Sequence, residues 1–104
     1  MSASRIASRY AKPILELAEE KNVLEKVKDD MEGFLNVCQE SNDFLLMLKS
    51  PIIPHLRKAQ ILNKAFKGKM NALTLQAFDL ITRKNREGVL EEIATEFLHL
   101  YNDK

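Results

Sequence analysis

The apolar positions of this chain recur at helical spacing along its whole length, with polar residues filling the intervals. In the first segment Ile6, Tyr10, Ile14 and Leu17 fall on one line, with Ala7, Ala11 and Ala18 beside them. Small residues on such a face let a second helix approach closely, and Tyr10 adds a large ring with a polar tip. The pattern predicts a first helix from about Ser4, a suitable N-cap, to Lys21. Asn22 followed by Glu25 has the form of a capping box, which starts a second helix with the stripe Leu24, Val27, Met31, Phe34 or Leu35, and Cys38. A short third helix is expected from about Asp43 to Leu48, between Asn42 and the Ser50-Pro51 breaker. Pro54 serves as the first residue of a fourth, which Gly68 ends. Asn71 caps a fifth, which continues through Leu73, Ala77, Phe78 and Ile81 to about Lys84. The sixth spans about Gly88 to Tyr101, with Val89, Leu90, Ile93, Ala94, Phe97 and Tyr101 inward. Strand signals, repeats and low-complexity tracts are missing from the sequence. Short linkers favour antiparallel neighbours, so the expected fold is all-α, a compact six-helix bundle forming one domain over residues 1–104.

Two residues interrupt the helical pattern. Gly33 lies inside the second helix, where it costs about 1 kcal/mol relative to Ala; close approach of another helix is the expected reason. Pro13 lies inside the first, where it removes the hydrogen bond to the Arg9 carbonyl. Either the helix kinks there or it starts near Lys12, and the unbroken apolar stripe favours the kink.

Composition narrows the class without naming a function. Hydrophobic residues make up 45% and charged residues 30% of the chain, as in an ordinary globular domain. No apolar run approaches the roughly 20 residues that span a bilayer, so direct membrane insertion is not expected. The single cysteine, Cys38, fits a reducing compartment, and the chain reads as cytoplasmic. Net charge is only +1, but the charges are unevenly placed. Between Phe44 and Phe78 there is no acidic residue, while Lys49, Arg57, Lys58, Lys64, Lys67 and Lys69 are present.

Candidate chemistry is sparse. His55 and His99 are far apart, with no metal-ligating residue at a useful spacing, and both read as surface positions. Cys38 continues a core stripe and reads as a structural thiol. The pairs Glu19-Glu20, Asp29-Asp30 and Glu91-Glu92 read as solvated, because adjacent helical residues point to different sides. The three glycines are isolated and form no phosphate loop. No catalytic residue, metal ligand or cofactor site is expected. In the basic stretch from Arg57 to Lys69, Phe66 is the only aromatic, and it falls at core spacing with Leu56, Ala59 and Leu62. Nucleic acid is therefore not an expected partner.

The particular residues carry more than the class. The run Ser8-Arg9-Tyr10-Ala11-Lys12, followed by Leu15-Glu16-Leu17-Ala18-Glu19-Glu20-Lys21, resembles the opening of the delta subunit of F-type ATP synthases, whose mitochondrial counterpart is the oligomycin sensitivity conferral protein. Leu48-Lys49-Ser50-Pro51-Ile52-Ile53 resembles that family's third helix and Ser-Pro turn. Lys58-Ala59-Gln60-Ile61-Leu62-Asn63-Lys64-Ala65-Phe66 resembles its fourth helix, and Leu80-Ile81-Thr82-Arg83-Lys84-Asn85-Arg86 with Leu90-Glu91-Glu92-Ile93 its fifth-to-sixth passage.

The resemblance implies a non-catalytic stator component that links the catalytic head to the peripheral stalk during proton-driven ATP synthesis. It implies binding of the N-terminal helix of an alpha subunit in a groove between the first and fifth helices. Carried over, the groove walls would be Tyr10, Pro13, Ile14 and Leu17 on one side and Phe78, Ile81 and Thr82 on the other. Ile14, Leu17 and Phe78 read equally as core; Tyr10 and Ile81 read as groove. Contact with the stalk b subunit would come through a C-terminal domain that is expected to be absent from this chain. The implied location is peripheral, on the cytoplasmic side of the bacterial inner membrane. Pro13 departs from the small residue that the family usually carries there. The alternative reading is an unrelated all-α nucleic-acid-binding or regulatory adaptor working through the face from Arg57 to Lys69. An enzymatic reading would need His55 and His99, or Cys38, to converge in a pocket.

Overall fold

Helix α1 (Ser2–Glu20) turns Ala7, Ala11 and Ala18 inward, each at 2% exposure or less. Having no side chain beyond Cβ at these positions, it lies close along α6 (Leu90–Asn102), its principal neighbour. The computed structural model describes the backbone of residues 2–103 and the side chains of residues 5–103. Helix α2 (Leu24–Glu40) also packs on α6, which fully buries Leu90, Ile93, Ala94 and Phe97 between them. The short α3 (Asn42–Lys49) leads to α4 (His55–Phe66), which pairs with α5 (Ala72–Arg83). A single 3₁₀ turn (Glu87–Val89) then feeds α6. The described residues thus form the expected all-α bundle of six helices.

The two halves meet in an aromatic cluster. Phe34 of α2 lies 4.8 Å from Phe78 of α5, 5.9 Å from Phe44 of α3 and 6.0 Å from Phe66 of α4, centroid to centroid. Such tilted and edge-on pairs each add about 0.5–1.5 kcal/mol beyond area burial. Of the two residues left open on the α2 stripe, Phe34 takes the core position and Leu35 is half-buried.

Several local expectations change. Helix α1 already begins at Ser2, so Ser4 lies within it and is not its cap; the Ser4 side chain lies outside the described residues. Pro13 neither breaks α1 nor starts it, because one helix passes through it. The ring is exposed, on a side where solvent can satisfy the freed carbonyl. The capping box at Asn22 and Glu25 does not form. Asn22 instead ends α1 in the left-handed region at φ 60, with its N–H donating to Glu19 O and that of Val23 to Ala18 O. This is a Schellman closure, which a short amide side chain tolerates. Asn85, at φ 62, ends α5 in the same way. Helix α3 starts at Asn42, one residue before the expected Asp43, and is capped by Ser41, with Ser41 Oγ accepting from Phe44 N at 3.2 Å. Pro54 stands one residue before α4, at its cap position. A Cβ at Gly33 would meet nothing within 4 Å, so close helix approach does not explain this glycine.

Candidate functional site: a groove between helices α1 and α5

Because α1 spends its alanine face on α6, its Tyr10–Ile14–Leu17 line falls beside α5 rather than under it. The result is an open apolar groove of about 290 Å³ between the two helices. Tyr10, Pro13, Ile14 and Leu17 line one wall; Leu73, Gln76, Ala77, Leu80 and Ile81 line the other. Its floor is core: Ile14 and Ile81 are buried at 8% and 1% exposure. Its rim is exposed, with Leu17 at 40% and Leu80 at 53%. Large apolar side chains held at half exposure around a concave surface are the usual form of a groove for an amphipathic helix.

The sequence-derived wall is therefore partly redrawn. Five of its residues, Tyr10, Pro13, Ile14, Leu17 and Ile81, come together around the groove. Phe78 does not: at 2% exposure it belongs to the aromatic cluster. Thr82 does not either; it is fully buried, its hydroxyl donating to Phe78 O at 2.7 Å. Both lie on the face of α5 turned to the core. Leu73, Gln76, Ala77 and Leu80 take their place, at the i, i+3, i+4 and i+7 positions that define one helical face. That spacing was visible in the sequence, but which face of α5 is inward depends on α2 and α4.

Two buried polar clusters hold these walls, and both depart from the sequence reading. Asp30 is not solvated like its neighbour Asp29: it is 4% exposed. Its Oδ2 accepts from Asn71 N at 2.8 Å and Thr74 Oγ1 at 2.7 Å, and Oδ1 from Lys26 Nζ at 2.9 Å. Asn71 Oδ1 in turn accepts from Leu73 N. The carboxylate thus completes the N-terminal cap of α5, where the helix dipole also favours negative charge. Lys58, one of the residues of the basic stretch, is 3% exposed and turned inward. Its Nζ donates to Leu48 O at 2.9 Å, Ser50 O at 2.7 Å and Glu87 Oε2 at 2.8 Å. This single ammonium ties the end of α3 and the start of α4 to the turn that follows α5.

The remaining candidates disperse. With Lys58 inward and Phe66 at 6% exposure, the stretch from Arg57 to Lys69 lacks a cationic face with an aromatic platform. His99 is exposed beside Glu96, whereas His55 is half-buried at the start of α4 rather than fully on the surface. Cys38 is buried, and desolvation, reinforced by Glu91 and Glu92 against Lys49, pushes its thiol up to about 11. A thiol so placed is mostly protonated at neutral pH and is a poor nucleophile. Among the described residues no group of three or more His, Cys, Asp or Glu side chains is arranged to hold a metal ion. Nor is any helix among them long and apolar enough to cross a membrane.

Known proteins share this sequence over its full length. It is 38% identical over 104 residues to the ATP synthase subunit delta of Cytophaga hutchinsonii, covering 100% of this chain and 57% of the relative. The Chlorobium phaeobacteroides subunit delta is 36% identical over 104 residues, with 100% and 58% covered. The Desulforudis audaxviator subunit delta is 29% identical over 103 residues, with 99% and 57% covered. The chain thus spans a little over half the length of the curated relatives it matches. The family model of the ATP synthase delta (OSCP) subunit matches residues 6–104, from within α1 through α6, and the chain belongs to that family.

Proposed function

We propose that this chain is a non-catalytic component of the peripheral stalk of an F-type ATP synthase, and that its α1–α5 groove receives the N-terminal helix of an alpha subunit. The observation that carries this reading is the exposed apolar groove of about 290 Å³ in a chain of the delta family. An amphipathic helix places apolar side chains at three- and four-residue spacing, which matches the rim formed by Leu17, Leu80 and Tyr10. Anchored there, the domain links the catalytic head to the stalk during proton-driven ATP synthesis, and its role is mechanical. Attachment to the stalk b subunit is assigned to the part of the subunit outside the stretch shared with the relatives. The working location is peripheral, on the cytoplasmic side of the bacterial inner membrane.

Calorimetric titration with a synthetic alpha-subunit N-terminal peptide from the same organism tests the reading, at low and at high salt. One-to-one binding that survives high salt supports it, because apolar burial is not screened as phosphate contacts are. An absence of binding under both conditions refutes it.

A further inference from the structure

At the Tyr10 end of the groove lies a second, smaller hollow of about 200 Å³, lined by Ile6, Arg9, Tyr10 and Arg86. Tyr10 lines both, so the two hollows adjoin at this residue. The arginines arrive from different elements: Arg9 from the middle of α1, Arg86 from the turn after α5. Neither makes an ion pair among the described residues. Both are exposed. Nor is the position of Arg86 casual. Its N–H donates to Ile81 O at 3.0 Å in the closure of α5, and the next residue, Glu87, is held in the interior by Lys58. Arg9 and Arg86 thus come to one hollow from separate elements, and among the described residues no carboxylate lines it.

Charge changes sign along α1. Arg5, Arg9 and Lys12 lie in its first half, and Glu16 stands seven residues after Arg9 on the same line. Like charges held close together are unfavourable unless an anion joins them, and guanidinium groups suit a carboxylate through paired N–H donors.

We propose that Arg9 and Arg86 form a carboxylate-binding subsite at the Tyr10 end of the groove, which takes an Asp or Glu of the docked helix and so sets its register and direction. The proposal rests on the docking reading above and adds to it the chemistry of the occupant: an amphipathic helix with an acidic side chain beside its apolar anchors. A guest helix whose C-terminal end lies toward the arginines gains further, since its dipole is negative there.

The test is a double-mutant cycle between the 104-residue chain and the alpha-subunit N-terminal peptide. Arg9→Gln and Arg86→Gln are each expected to weaken binding about three- to five-fold at low salt, within the range of exposed ion pairs, with the loss shrinking at high salt. Each acidic residue of the peptide is changed to its amide in turn. One of these peptides is expected to lose the same factor against the parent chain and nothing further against Arg86→Gln. Arg86→Glu with the matching peptide Glu→Arg or Asp→Arg should recover most of what either change loses alone. Equal binding by all amide variants, with the parent peptide still bound, overturns the subsite and leaves the groove standing. Failure of the parent peptide to bind overturns the docking reading and the subsite together.

Discussion

Lys58 shows how a single residue can reverse its apparent role. In the sequence it belongs to a cationic stretch; in the folded chain its ammonium satisfies two carbonyls and one carboxylate at 2.7–2.9 Å. The other oxygen of that carboxylate, Glu87 Oε1, is buried with no hydrogen-bond partner among the described residues, so the compensation of its charge falls on Lys58. Lys58→Ala is therefore expected to lower stability by about 3–5 kcal/mol in urea unfolding, the usual result of leaving one buried charge alone. A loss below about 1 kcal/mol would mean that the Lys58–Glu87 pair does not hold the fold together. Cys38 supports a second prediction at this scale. Its folded thiol titrates at about 11 against an ordinary value of 9.0, so the fold favours the protonated form. That contribution is complete below pH 9.0 and is lost as the pH climbs toward about 11. Tyr101 shifts the same way, chiefly because its hydroxyl donates to Glu25 at 2.6 Å. Chemical denaturation across this window should show falling stability, with a shallower slope in Cys38→Ala.

At the scale of the element, the helices stop and start by local chemistry that differs from the simplest sequence signals. Asn22 and Asn85 end helices by entering the left-handed region, where Asn is tolerated better than most residues. Gly68, at φ 80, does the same after α4. Gly33 has no such duty. It sits inside α2 with open space where a Cβ would go, so it carries only the entropic cost of glycine in a helix. Gly33→Ala is expected to stabilise the domain by about 0.5–1 kcal/mol, read as a higher urea midpoint with an unchanged slope. Destabilisation would mean that α2 does not accommodate a methyl group at that position. Helix α1 survives Pro13 because its alanine face is secured against α6, and packing outweighs the single lost backbone bond.

For the whole molecule, the question is which apolar residues hold the fold and which are available to a partner. Ile81 and Leu80 are neighbours on α5, yet they are 1% and 53% exposed. Ile81→Asp would place a charge in the core, and is expected to unfold the domain, visible as loss of the cooperative thermal transition. Leu80→Asp and Leu17→Asp should leave helicity and midpoint within about 0.5 kcal/mol of the parent while weakening alpha-peptide binding at least tenfold. Retained binding in both rim variants would move the docking surface elsewhere. Tyr10, half-buried, lines both hollows and so stands where the proposed apolar and charged contacts would meet.

The sequence by itself determined the six helices, the apolar stripes and the all-α class, because period and breakers act within a few residues of chain. Family resemblance was legible in short runs, from Ser8-Arg9-Tyr10-Ala11-Lys12 onward. It also brought Tyr10, Pro13, Ile14, Leu17 and Ile81 to one groove. Only the tertiary structure decided that Phe78 and Thr82 turn inward while Leu73, Ala77 and Leu80 face the groove. Likewise, only folding brings Asp30 to the start of α5, 41 residues away, and Lys58 to Glu87, 29 residues away. Burial and charge pairing depend on what other helices bring to a face, and no local window of the chain contains that information.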